Sequence, residues 1–138
     1  MVITVPWWRR LAYSFVSILV AGCLVGLGMS CQEAVFSTRE YPNLGAGLVF
    51  GFFVSAVGVS GWLIAVPIVL LVRDYTGWRF WVWGATGLCI GPAMVFSACL
   101  FRFGFSNSEL YFSVATAESA LSTALYLLLV LRRANLHN

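Results

Sequence analysis

Four long runs without a lysine or arginine, at positions 11–31, 44–72, 80–101 and 110–131, dominate this chain and limit what it can become. A helix needs about 20 apolar residues, rising about 1.5 Å each, to cross about 30 Å of hydrocarbon. All four runs meet that length. Where no water is present to satisfy open backbone groups, such runs can only be helices. The spaces between them are short and contain no stretch rich in proline, serine or charge, so no linker or second domain is expected. The reading is all-α: one membrane domain over residues 1–138, an integral bundle of four transmembrane helices.

Composition agrees. Hydrophobic residues make up 61% of the chain and charged residues only 9%, whereas globular domains carry about 25% charged residues. All eight cations are arginine. They stand singly or in pairs at the ends of the apolar runs, so the basic balance reflects membrane topology and nucleic acid is not an expected partner. With the N-terminus inside, Arg9, Arg10, Arg73, Arg79, Arg132 and Arg133 lie inside, leaving only Arg39 and Arg102 outside. That asymmetry predicts an N-in/C-in orientation. Trp7, Trp8, Tyr75, Trp78, Trp81 and Trp83 would form an interfacial belt at the inner boundary. The expected location is a multi-pass position in a membrane, the bacterial cytoplasmic membrane in particular.

The segment VAGC at 20–23, behind WWRR and an apolar stretch, resembles the lipobox of bacterial lipoproteins, where cleavage would acylate Cys23 and leave three spans. The following residues, LVGLGMSC, are still apolar, whereas the apolar core of a secretion signal runs about 7–15 residues. The first run is therefore expected to remain a span.

Small residues recur at helical spacing in every run. Gly22, Gly26 and Ser30 share a face of the first, and Gly47, Gly51, Ser55 and Gly58 follow one another along the second. Gly84, Gly87 and Gly91 mark the third, and Ala117, Ala120 and Ala124 the fourth. Such faces let helix backbones approach closely where lipid supplies no hydrophobic drive, so Gly22, Gly26, Gly47 and Gly51 are candidate packing positions. Pro67 and Pro92 each remove a backbone hydrogen bond and bend their helices. Gly91 and Pro92, near mid-depth, are the stronger candidate hinge, with Pro67 a second.

The residue that carries chemistry is Glu118, inside the run YFSVATAESALSTALY. It falls within about 5 Å of the bilayer centre by helical rise. Burying a bare charge there costs several kcal/mol, so a neutral acid or a nearby partner is expected. Helical spacing places Tyr111, Ala115, Glu118, Ser122 and, less well, Tyr126 on one stripe. Leu110, Val114, Leu121 and Leu128 form a separate apolar stripe suited to lipid. Glu118 should face the bundle interior, with Cys23, Ser55 and Ser97 at comparable depth. Glu118, Ser122 and Tyr111 are thus the candidate proton- or ion-coupling residues, and the alternative role for Glu118 is a hydrogen bond that fixes helix register.

The inner loop VRDYTGWRFW resembles part of the loop motif between the second and third helices of major-facilitator transporters, through Asp74, Gly77 and Arg79. It departs from that motif at Leu70 and Tyr75, and a tight charged hairpin explains the same residues. Small multidrug-resistance transporters also have four helices in about this length, but their essential glutamate lies in the first helix, where this chain has no carboxylate. Cys31 and Cys99 approach the outer face, where a disulfide is conceivable, although cysteine also serves as a small apolar packing residue. His137 alone cannot build a metal site. No nucleophile, phosphate loop or metal cluster is evident, so no cofactor and no enzymatic activity are expected. Two functions stay open, and the sequence favours the first. One is a non-enzymatic accessory or assembly subunit of a larger membrane complex. The other is a small oligomeric transporter or channel using Glu118. Beyond the bilayer itself, the expected partners are other membrane-protein subunits or further copies of the chain.

Overall fold

The computed structural model describes residues 5–36, 43–71, 78–103 and 108–135. Arg39, Glu40, Arg73, Asp74, Tyr75, Gly77 and His137, and with them most of the charged inner hairpin, lie outside the described residues. The described residues form four α-helices in sequence: α1 (Trp7–Phe36), α2 (Leu44–Leu71), α3 (Trp78–Ala98) and α4 (Ser108–Asn135). A π-helical turn, Cys99–Phe103, prolongs α3. Among the described residues no strand is present. All four helices are long and apolar enough to cross a membrane. At 30 residues α1 outruns its expected span of 11–31 by about a turn at each end, because the WWRR segment before it and the residues up to Phe36 are also helical, while α2 keeps the expected start at Leu44.

Local chemistry sets the helix ends. Asn43 caps α2: its Oδ1 accepts the Ala46 N–H at 3.0 Å, and its carbonyl accepts the Gly47 N–H. That is the standard use of an asparagine ahead of a helix. The same Asn43 carbonyl also accepts the Ser30 hydroxyl at 2.6 Å, tying the end of α1 to the start of α2. At the other end of the bundle, Arg10 is buried and its guanidinium donates to the Val69 carbonyl at 3.1 Å. Val69 is among the last residues of α2, where carbonyls lack helical partners and the helix dipole favours a cation.

The helices run antiparallel. α1 packs most extensively on α2 and next on α4, while α3 packs chiefly on α4; α2 meets α3 and α4 only narrowly. The start of α1, the end of α2, the start of α3 and the end of α4 therefore share one end of the bundle. A small apolar cluster of Leu127 and Val130, with Val5, Tyr13, Trp83 and Tyr126 against it, closes that end.

Burial is inverted relative to a soluble domain. The buried face of α1 is Ser14, Ser17, Ala21, Gly22, Val25, Gly26 and Ser30. Phe52, Phe53, Leu63 and Leu128 point outward, each more than 60% exposed. A water-soluble bundle would hide those large side chains, whereas a bundle in lipid gains most from close approach of small residues. Gly22 and Gly26 of α1 lie directly against the Gly47, Gly51 and Ser55 segment of α2. A Cβ on Gly26 would stand 2.6 Å from the Gly51 Cα, so the seam has no room for a side chain at this position. The Ser55 hydroxyl crosses it to the Leu19 carbonyl at 3.3 Å.

Candidate functional site

The wide α1–α2 and α3–α4 contacts, set against the narrow meeting of α2 with α3, leave a gap in the middle of the bundle. It is a cavity of about 150 Å³ lined by residues of all four helices. α4 supplies its polar wall. Ala115, Glu118, Ser119, Ser122 and Tyr126 recur at spacings of three and four and so face it together. Leu110, Leu121 and Leu128 face outward.

Glycines opposite α4 receive its polar side chains. The Glu118 Oε1 occupies the space that a side chain at Gly58 of α2 would fill, with Ile18 of α1 beside it. On α3, Gly87 faces the Thr123 side chain and Gly91 faces Ser119. The Ser119 Oγ accepts the Gly91 N–H at 3.0 Å. This clasp falls one residue before Pro92, where the proline ring and its missing N–H interrupt the helical bonding of α3. The carbonyl that Pro92 leaves without its helical donor is that of Leu88, four residues back, and the Ser119 Oγ serves the adjacent donor, the Gly91 N–H.

Glu118 is the chemical centre. It is 8% exposed, and its Oε1 is buried without a hydrogen-bond partner. The nearby hydroxyls are engaged elsewhere: Ser122 donates to the Ser119 carbonyl at 3.2 Å, and Ser14 donates to the Leu11 carbonyl at 2.8 Å. Glu118 is also the only ionisable acid or base among the described residues lining the cavity, apart from the Tyr126 phenol. A buried acceptor left open in this way carries a desolvation cost of about 1–3 kcal/mol or more. Chemically, such a carboxyl can hold a proton or pair with a cation that enters the cavity.

The residues singled out from sequence separate clearly. Glu118 and Ser122 line the cavity, and so does Gly91. Tyr111 does not. It lies two turns before Glu118, about 10 Å along the axis, and is 63% exposed. Sharing a stripe brings residues to one face but not to one depth. Pro67 is exposed on the outer side of α2, away from the cavity. Ser55 and Ser97 give their hydroxyls to other groups: Ser55 bonds the Leu19 carbonyl, and the exposed Ser97 bonds the Ala93 carbonyl of its own helix. All four cysteines are free thiols, Cys31 exposed and Cys99 buried. No group of three or more metal-ligating side chains occurs among the described residues.

Gly58, Ser119 and Trp62 belong to the site but were not singled out for it from sequence. Trp62 lines the cavity and donates its indole N–H to the Ser14 Oγ at 2.8 Å. A signal for it existed, since tryptophan in membrane helices concentrates at the interfaces. One placed well inside a span needs a partner for its N–H.

Together these features define a class: an all-helical four-helix bundle of membrane-length apolar helices around a small cavity with one buried carboxyl. No family model, curated protein or solved structure matches the chain.

Proposed function

We propose that this chain is a small multi-pass membrane transport protein, with both termini on the cytoplasmic side of a bacterial inner membrane. Glu118 is its coupling residue, alternating between holding a proton and pairing with a cationic substrate. The observation that carries this reading is the buried Glu118 Oε1, open to bonding at a cavity that all four helices line. A register-fixing glutamate would instead be expected to make a hydrogen bond across helices, as Ser55 does to Leu19. Intramembrane acids that face a cavity generally mark substrate or ion pathways. The Ser119 clasp at the Gly91–Pro92 step gives α3 a point where two arrangements differ by one hydrogen bond, which suits a hinge.

The competing role, a non-enzymatic accessory or assembly subunit, draws on the scarcity of polar groups along any path in the sequence. The clustering of hydroxyls and one acid around a single cavity weakens that ground. The test is reconstitution in proteoliposomes containing a pH-sensitive dye, with a panel of small cations added outside. Cation-driven proton efflux is expected, falling at least tenfold in Glu118→Gln, which keeps the shape but cannot exchange a proton. No flux, together with stoichiometric foreign subunits in native mass spectra after mild detergent extraction, would establish the accessory role instead.

A further inference from the structure

We infer that the ligand of this cavity is a compact organic monocation, a primary or quaternary ammonium carrying about one aromatic ring, with its charge against Glu118. The inference rests on the transport reading of the same site and names its substrate class.

Size sets the first limit. A cavity of roughly 150 Å³ accommodates one benzene-sized group, and the cavity here has about that volume. Charge sets the second. Glu118 is the only carboxyl on the lining and no arginine lines it, so a bound cation meets one opposite charge and no like charge among the described residues. A single acid does not suit a divalent metal, which takes six or more oxygen ligands or retains its waters. Most of the lining is carbon, and the acid stands beside glycine and isoleucine on its facing helices. An alkylated cation loses less hydration on entering such walls than a small inorganic ion does.

The walls set the third limit. Opposite the polar face of α4 stand Trp62, Ile90 and Met94, with Trp83 towards the inner end. Aromatic faces and a thioether attract an alkylated ammonium or an aryl ring, and tryptophan is the strongest cation–π partner. Trp62 is held ready by its bond to Ser14 and an edge contact with Phe15, ring centres 5.4 Å apart. The narrow meeting of α2 and α3 provides a mouth. Val57 lies on the lining and is 62% exposed, so an apolar cation dissolved in the bilayer could enter sideways.

The test uses the full chain in nanodiscs, with calorimetric titration of benzylammonium and of benzyl alcohol, its neutral counterpart. Empty nanodiscs correct for partition into lipid. One saturable site is expected, at least about tenfold tighter for the amine, as befits a charged hydrogen bond. Glu118→Gln should abolish that preference, and Ile90→Trp, which fills the cavity, should abolish binding of both compounds. Retained elution volume and melting temperature would show that each variant is folded. Equal affinity for amine and alcohol, or a preference that survives Glu118→Gln, overturns the ligand class even where Glu118-dependent proton flux persists. Absence of both saturable binding and flux overturns the ligand class and the transport reading together.

Discussion

Alanine placed at Gly26 and at Gly28 tests the seam that holds α1 against α2. A Cβ on Gly26 would sit 2.5 Å from the Gly51 N and 2.6 Å from its Cα, and closer still to the Gly47 carbonyl oxygen. Comfortable contact needs about 3.5 Å, so the helices must part by about 1 Å. Every obstructing atom is backbone, and no rotamer change relieves it. Overpacking of this kind costs about 1–3 kcal/mol, and the upper end applies here. Parting the seam also stretches the Ser55–Leu19 hydrogen bond, already 3.3 Å long, at a further cost of about 0.6 kcal/mol. Against this, alanine is the better helix former by about 1 kcal/mol. Gly26→Ala is therefore expected to lose about 2.5 kcal/mol. Gly28 is exposed, with no atom near a Cβ placed on it. The same substitution there keeps only the helical gain, about 0.5–1 kcal/mol of stabilisation. Reversible unfolding in mixed micelles of increasing dodecyl sulfate content would measure both. Gly26→Ala as stable as Gly28→Ala would mean that α1 and α2 do not meet along this face.

Three further expectations follow from single contacts. Glu118→Met, a close match in shape without the unsatisfied acceptor, should unfold later than wild type by about 1–3 kcal/mol while losing all cation-driven flux; a less stable variant would mean that Glu118 is a structural hydrogen-bond partner. Arg10→Met removes the cap on the Val69 carbonyl and should destabilise by about 1–2 kcal/mol, with hydrogen exchange rising selectively in the last turn of α2. Uniform exchange across the bundle would contradict the capping role. A membrane-impermeant maleimide applied to whole cells should label Cys31, which is exposed near the C-terminal end of α1, and leave the buried Cys99 unmodified. Labelling that requires broken cells would reverse the orientation predicted from the arginines.

The fold was legible because its cause is one-dimensional. Apolar length is a property of a run, and it fixes the number and order of the helices before any contact is known. The α1–α2 seam was nearly as open to reading, since Gly22, Gly26, Gly47 and Gly51 mark themselves by spacing alone. Depth and pairing between helices were not. Periodicity set Tyr111 and Glu118 on one stripe, yet only the stagger of four helices decides which member of a stripe reaches the cavity. Arginine counts assigned Arg10 to the inner surface, but the snug fit of α1 on α2 is what turns its side chain inward to the Val69 carbonyl. Gly58 is the clearest case. Along α2 it continues the small-residue face that begins at Gly47, and spacing cannot separate it from its neighbours. Gly51 is a glycine because the backbone of α1 presses on it, and Gly47 because the Ser30 side chain and the Gly26 carbonyl do, whereas Gly58 leaves the room that the Glu118 carboxyl occupies. The same residue type thus meets two different demands on one helix, close packing at one end and a buried acid further along. Only the neighbour on the facing helix tells them apart.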